Sequence, residues 1–209
     1  MTPYPDLHAY VESLLPTRAA IPEARRATLD RIASFVHERR AAGQPARLMF
    51  ICTHNSRRSH MSQIWAATAA AWYGIDNVEA YSGGTEATAF NPRAVAAMRR
   101  VGFEIDELPS SDGTNPHYAV RFAADSSALE VFSKTFDADS NPSSEFAAIM
   151  NCGEADEACP IVRGAALRVS LPYDDPKLAD GARDEAERYA ERAQQIAREM
   201  FYLFSRVDA

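Results

Sequence analysis

Eight consecutive residues combine a thiol, several hydroxyls and two guanidinium groups in an order that could bind an anion and attack it. They lie between a short apolar run and a helical pattern, and they read Cys52-Thr53-His54-Asn55-Ser56-Arg57-Arg58-Ser59. The backbone N–H groups of such a turn can converge on one anion, and the N-terminus of the following helix adds its positive end. Arg58 could hold two oxygens of a tetrahedral oxyanion, and the same field favours the thiolate form of Cys52. The spacing therefore predicts a nucleophilic thiolate facing arsenate or phosphate, with Ser59 as a hydrogen-bond donor to the sulfur.

The competing interpretation is an inert buried cysteine at a strand end, followed by a basic helix start. A bare spacing of one cysteine, five residues and one arginine occurs often by chance. The apolar run Arg47 to Ile51 before the loop and the helical pattern through Ile64, Trp65 and Trp72 after it favour the anion-binding interpretation.

Two further cysteines follow a second buried-strand pattern. Cys152 comes directly after Phe146 to Asn151, and Cys159 follows after six intervening residues, with Pro160 behind it. Three cysteines without a secretion-signal pattern argue against a structural disulfide framework. The absence of a Cys-x-x-Cys pair, and of a histidine three or four residues from Cys152 or Cys159, argues against a metal site, and we expect no metal and no cofactor. Two unrelated thiols remain an alternative on spacing alone.

Acidic residues follow another alternating pattern. Leu167, Val169 and Leu171 predict a strand that leads into Asp174-Asp175-Pro176. Either aspartate could be a general acid, and either could instead cap the start of a helix.

Strand patterns alternate with helical ones from residue 46 onwards. This alternation predicts an α/β fold in which a central parallel sheet carries helices on both faces, and ligands of such sheets bind beyond the carboxyl ends of the strands. We expect a helical N-terminal arm over residues 1–45 and a single domain over residues 46–209. Within that domain, residues 107–145 predict an inserted hairpin, and Asn91 with Pro92 predicts a helix start.

Composition limits the classes of function. The chain has 209 residues and a net charge of −7, which disfavours a general nucleic-acid binder. It contains no run of eighteen apolar residues, so we expect no membrane span. The first sixteen residues lack a basic start followed by an apolar run, so they do not resemble a signal peptide, and a cytoplasmic location is expected.

The loop resembles that of the low-molecular-weight tyrosine phosphatase superfamily, specifically its thioredoxin-coupled arsenate reductase branch. In that branch the loop has the form Cys-Thr-Gly-Asn-Ser-Cys-Arg-Ser, which matches this chain except that His54 replaces glycine and Arg57 replaces the second cysteine. The segments Ser82 to Ala87 and Asn91 to Val95 are similar to the continuation of the family pattern. The resemblance covers residues 47–106 and 146–205, and it does not cover the N-terminal arm or the insert.

The resemblance implies a role for each residue of the site. Cys52 would attack arsenate, Asp175 would protonate the leaving oxygen, and Cys152 would resolve the arsenic–sulfur adduct. Cys159 would receive the disulfide and pass the oxidation on to thioredoxin or a similar thiol reductant. Arg58 would hold the oxyanion together with the rest of the loop, which consists of Thr53, His54, Asn55, Ser56, Arg57 and Ser59.

Two other functions remain open on the sequence. A phosphomonoester or tyrosine phosphatase needs only Cys52, Arg58 and an acid, and His54, Arg57 and the insert could reshape the pocket mouth for a larger substrate. A protein that binds arsenite without catalysis would need the three thiols, although Arg58 and the anion loop would then be superfluous.

Overall fold

A four-stranded parallel sheet forms the centre of the molecule. The computed structural model describes residues 2–109, 113–159 and 161–208. The strand order is β2 (Val78–Gly84), β1 (Ala46–Cys52), β6 (Phe146–Met150) and β7 (Ala165–Ser170), and every neighbouring pair is parallel. β1 and β6 are apolar on both faces because they occupy the two central positions, where both faces are covered. The predicted α/β sheet is confirmed, and its carboxyl edge carries Cys52 and the segment that begins at Asn151.

The two faces of the sheet are covered unequally. One face carries the large core, to which three long helices contribute: α2 (Glu23–Ala41), α3 (Arg58–Trp72) and α6 (Glu185–Phe204). The opposite face carries a smaller apolar cluster that includes Met49, Ile51 and Met150, and α5 (Gly153–Ala158) packs there against β1 and β6. Helices therefore lie on both faces, but among the described residues the second face carries a single helix of six residues.

The N-terminal arm shares the main core. It consists of α1 (Pro5–Leu14), a 3-10 turn (Leu15–Ala20) and α2. Its buried residues belong to the same apolar cluster as Leu48 and Phe50 of β1, and they include Leu7, Val11, Leu14, Leu29, Ile32 and Val36. Since the arm buries its apolar face in the domain, it is part of the same folded body as the sheet.

The insert is larger than the predicted hairpin. It forms a three-stranded antiparallel sheet in the order β3 (Glu104–Glu107), β4 (Tyr118–Arg121) and β5 (Leu129–Val131). The first strand begins before residue 107, where the hairpin was expected to start, because Ile105 pairs with Val120 and points into the core. The third strand of this sheet ends at Val131, and beyond it Thr135 makes an isolated parallel bridge to Gly84.

The remaining helix boundaries follow local rules. α4 (Pro92–Arg100) begins where the Asn91 side chain accepts a hydrogen bond from the Arg93 N–H at 3.0 Å, which confirms the predicted cap. The last helix, α6, starts at Glu185, after a 3-10 turn over Pro176–Ala179. In the described part of the chain, no helix combines the length and the apolar character needed to cross a bilayer.

Candidate active site

The anion loop connects the end of β1 to the start of α3, and its thiol is buried. The sulfur of Cys52 lies 3.1 Å from the hydroxyl oxygen of Ser59 in the first turn of α3. Both residues are nearly inaccessible to solvent. This contact holds the sulfur at the N-terminal, positive end of α3.

Asn55 organises the loop from within. Its backbone is in the left-handed region with φ 43°, which asparagine tolerates better than most residues. Its side-chain amide donates to the Ser59 hydroxyl at 2.8 Å, and its side-chain oxygen accepts from the backbone N–H of Lys134 at 2.8 Å. Among the described residues, no acceptor engages the backbone N–H groups of residues 54–57. These groups are therefore available to an anion.

A close backbone approach holds the loop against the end of β2. A Cβ atom on Gly84 would lie 2.7 Å from the Asn55 nitrogen and 2.7 Å from the Thr53 carbonyl oxygen. The Thr53 carbonyl accepts from the backbone N–H of Glu86 at 2.8 Å and from the Thr85 hydroxyl at 3.1 Å. Only glycine fits at position 84. The similarity of the segment Ser82 to Ala87 to the family pattern therefore has a steric cause at this position.

Arg58 links the loop to the predicted acid. Its guanidinium donates to the Asp175 carboxylate at 2.7 Å and to the Tyr173 carbonyl at 3.0 Å. Its Nε is buried and has no partner in the described part of the chain, so a donor remains for an anion. Asp175 also caps the 3-10 turn through the Lys177 N–H at 3.0 Å. Asp175 therefore is a cap, as one sequence interpretation predicts, and its role as a general acid stays a prediction.

The other predicted loop residues differ in where their side chains point. Arg57 donates to the Tyr189 hydroxyl at 2.7 Å and to Asp180 at 3.1 Å, which ties the start of α3 to α6 and the preceding turn. The Ser56 hydroxyl donates to the Ala89 carbonyl. The half-exposed His54 ring lies 3.9 Å from Glu86. Direct contact of these three side chains with a substrate stays a prediction.

Cys152 lies beside the anion loop. Its sulfur is 3.4 Å from the hydroxyl oxygen of Thr53, and it shares the small apolar cluster with Cys52. It is also the N-cap of α5, where the sulfur accepts from the Ala155 N–H at 3.4 Å. The structure thus brings the second predicted thiol to the edge of the loop.

Cys159 lies at the opposite end of α5. It is the C-cap residue, and Pro160 behind it lies outside the described residues. Arg168 of β7 holds this end of the helix by donating to the Cys159 carbonyl at 3.1 Å and to Asp156. Partial burial raises the pKa of the Cys159 thiol; the Arg168 guanidinium opposes this shift, while Asp137 adds to it.

Two residues of the insert support the loop, and the sequence analysis did not identify them. The Ser133 hydroxyl donates to the His54 carbonyl at 3.2 Å and accepts from the Thr88 N–H at 2.8 Å. The Lys134 N–H holds Asn55, while its buried ammonium lies over the Phe132 ring, and burial lowers the pKa of Lys134 to about 8. A backbone donor leaves no trace in residue types, so no sequence pattern could have revealed this support.

The described residues contain no group of three or more His, Cys, Asp or Glu side chains arranged to hold a metal ion. The polar groups around Cys52 are hydroxyls, amides and guanidinium groups, which suit an anion better than a cation.

Comparison with known proteins agrees with this geometry. Residues 47–120 match the family model described as low molecular weight phosphotyrosine protein phosphatase. An arsenate reductase of Bacillus licheniformis is 31% identical over 145 residues, which span 69% of this chain and 84% of that protein. An arsenate reductase of Bacillus subtilis is 29% identical over the same length and the same shares.

Solved structures share the fold. A YwlE mutant from Bacillus subtilis superposes with a TM-score of 0.53 at 16% identity, covering 78% of this chain and 99% of that one. A low molecular weight protein tyrosine phosphatase from T. tengcongensis gives a TM-score of 0.50 at 17% identity, covering 77% and 98%.

These matches, together with the Cys52 loop between a parallel strand and a helix, establish the class of the protein. The chain belongs to the low-molecular-weight phosphotyrosine protein phosphatase superfamily, in the branch that contains the arsenate reductases.

Proposed function

We propose that this protein is a thiol-coupled arsenate reductase. The observation that carries the proposal is the position of Cys152, whose sulfur lies 3.4 Å from the hydroxyl of Thr53 in the loop that begins with Cys52. A phosphatase of this superfamily needs a single thiol, since water can hydrolyse its phosphocysteine. A second buried thiol beside the loop serves a reaction in which the first sulfur must be attacked.

In the first step the Cys52 thiolate attacks the arsenic of arsenate. A sulfur–arsenic bond forms and an arsenic–oxygen bond breaks, and Asp175 protonates the departing oxygen so that it leaves as water. The loop amides and Arg58 hold the charged oxygens during this step. The contact between Arg58 and Asp175 supports these roles because it places the carboxyl group, which must carry a proton in this step, beside the anion-binding guanidinium.

In the second step the Cys152 thiolate attacks the sulfur of Cys52. A disulfide between the two residues forms, and the electron pair of the sulfur–arsenic bond passes to arsenic, which leaves as arsenite. Arsenic is reduced by two electrons, and the two thiols are oxidised by two electrons. Cys52 and Cys152 pack in the same apolar cluster, which supports a direct exchange between them.

In the third step the Cys159 thiolate attacks Cys152 and releases Cys52 as a thiolate. The two residues are separated by the whole of α5, so their Cα atoms lie about 10 Å apart at the usual helical rise. A disulfide requires about 7 Å or less. The helix must therefore unwind during the exchange, and its length of six residues makes unwinding cheap.

An external dithiol then restores the pair Cys152 and Cys159. Thioredoxin or a protein like it fits this role, because Cys159 is the most exposed of the three thiols. The arsenate reductases among the relatives support the choice of arsenate as the oxyanion, and a thiol reductant of this kind would be met in the cytoplasm.

The test compares two activities of one purified protein. Cys152→Ser should abolish multiple-turnover arsenate reduction with a thioredoxin system, while hydrolysis of p-nitrophenyl phosphate should stay nearly unchanged. Cys52→Ser should abolish both activities. If the wild type reduces no arsenate with any thiol reductant, the proposal is wrong.

Phosphomonoester hydrolysis is the second candidate function. The Arg58–Asp175 pair and the free loop amides favour it, because they suffice to form and hydrolyse a phosphocysteine. Under this alternative Cys152→Ser would have no effect on physiological turnover. A protein that binds arsenite without turning over any substrate would instead keep its arsenite affinity in Cys52→Ser.

A further inference from the structure

One residue of the N-terminal arm reaches the segment that carries the predicted acid. Arg25 of α2 donates two parallel hydrogen bonds to the carboxylate of Glu199 in α6, at 2.8 and 2.7 Å. Its remaining terminal nitrogen donates to the Pro172 carbonyl at 3.0 Å. Glu199 is 1% exposed, so this ion pair is buried on the carboxylate side.

Tyr173 joins the same cluster. The Arg25 guanidinium lies 5.0 Å from the centre of the Tyr173 ring, and the Tyr173 hydroxyl donates to Glu199 at 2.8 Å. Burial, followed by the charge of Glu199, raises the pKa of Tyr173 well above its ordinary value, so the hydroxyl stays a donor. Arg25 and Glu199 therefore fix both the backbone at residue 172 and the side chain at residue 173.

The next residues of this segment belong to the active site. The Tyr173 carbonyl accepts from Arg58, and the Asp175 carboxylate accepts from the same guanidinium. An anion in the loop would also bind Arg58, so anion binding competes with the hold of Arg58 on Asp175. Arg25 holds the same segment through contacts that an anion does not touch.

The other restraints on the segment are fewer. The Tyr173 N–H donates to the Asn151 carbonyl at 3.0 Å. Asp174 pairs with Arg192, but the Asp174 side chain is 89% exposed. Ion pairs that are exposed to solvent contribute little to stability. The contacts of Arg25, whose partner Glu199 is buried, are therefore the main side-chain restraint on residues 172–173 among the described residues that is independent of Arg58.

We infer that Arg25 is a positioning residue, which holds the acid segment so that Asp175 stays in place when Arg58 turns to a bound oxyanion. The inference rests on the proposed function, because it assumes that Asp175 acts as the acid. It assigns the N-terminal arm, which the family resemblance does not cover, a role in catalysis.

The test uses aryl phosphates that differ in the basicity of the leaving group. Loss of general-acid catalysis lowers the rate most when the leaving group is basic. Arg25→Gln should therefore lower kcat/KM for phenyl phosphate about tenfold or more. The value for p-nitrophenyl phosphate, whose leaving group needs little protonation, should fall by no more than about threefold. The inhibition constant of inorganic phosphate should not change, and Arg25→Lys should give an intermediate effect.

The matched control is Arg18→Gln. Arg18 is a partly buried arginine of the same arm, and it donates to the Tyr73 hydroxyl at 2.7 Å without contacting the acid segment. Arg18→Gln should leave the ratio of the kcat/KM values for phenyl phosphate and p-nitrophenyl phosphate unchanged. An equal loss on both substrates in Arg25→Gln, parallel to a loss of phosphate binding, would overturn the inference and indicate a structural role only. An unchanged ratio would overturn it as well.

Hydrogen exchange provides a readout that needs no activity. Amides of the peptide that spans residues 172–178 should exchange faster in Arg25→Gln than in the wild type or in Arg18→Gln, and equal exchange would contradict the inference. If the wild type shows no turnover that depends on Cys52, the proposed function has failed, and exchange still decides whether Arg25 holds the segment. If Arg25→Gln does not fold, Arg25→Gln/Glu199→Gln removes the unpaired buried charge and carries the same test.

Discussion

The two cysteine segments of the site are built in opposite ways. The anion loop is held by β2 through Gly84, by the insert through Ser133 and Lys134, and internally by Asn55. The segment from Cys152 to Cys159 is a helix of six residues on the thinly covered face of the sheet, and Arg168 clamps its far end. The difference teaches that the proposed nucleophile is pre-organised, whereas the proposed relay pair lies on an element that can open at low cost.

The largest expected effect concerns the rigid segment. Arg58→Gln should lower both arsenate reduction and p-nitrophenyl phosphate hydrolysis by about 10²–10³-fold, because it removes a charged donor to the developing charge. Arg57→Gln is the neighbouring control: it breaks the contacts with Tyr189 and Asp180 and should reduce thermal stability more than phosphate affinity. Equal losses of phosphate affinity in both variants would show that Arg57 also binds the anion.

Gly84→Ala should disturb the same loop without touching any reactive group. The new methyl group would press on the Asn55 nitrogen and the Thr53 carbonyl, which should cost about 1–3 kcal/mol of stability and weaken inhibition by phosphate. Chemical denaturation and inhibition assays measure the two effects. If Gly84→Ala kept the wild-type stability and the wild-type inhibition by phosphate, the loop would be easily deformed, which would contradict the pre-organisation described above.

The pH dependence of the relay separates the two segments further. The pKa of Cys159 is raised by burial, and its thiolate is the form that attacks. Transfer of the disulfide from Cys152 should therefore accelerate with rising pH through the raised pKa and level off above it, by about tenfold per pH unit below that value. Rapid-mixing experiments on the Cys52–Cys152 disulfide would detect this rise. A profile that is flat across the ordinary thiol range would contradict it, and Cys159→Ser should lack the transfer altogether.

The smallest effect should come from Gly153→Ala at the start of α5. No atom lies within 4 Å of the added Cβ, so the change only favours the helix, by up to about 1 kcal/mol. If α5 must unwind, arsenate reduction should slow by up to about fivefold while p-nitrophenyl phosphate hydrolysis stays constant. Faster arsenate reduction in Gly153→Ala, or an equal change in both activities, would argue against unwinding of α5.

Local patterns in the sequence were enough to predict several elements. The parallel sheet, the loop from Cys52 to Ser59 between β1 and α3, and the cap at Asn91 are confirmed, because buried strands, the loop spacing and the cap can each be recognised within a short stretch of sequence. The insert was predicted less well. Its three strands have four, four and three residues, which is too few for a clear alternating pattern.

The sequence by itself determined which reactive groups are present and how they are spaced: one thiol before an anion loop, two thiols around a short helix, and an acid after a strand. Only the tertiary structure decided which distant groups support them, such as Lys134 at Asn55 and Arg25 at the acid segment. The physical reason is that these supports are contacts to backbone groups or to residues far apart in the chain. Such contacts depend on how the elements pack, and they leave no signature in the residue types of either partner.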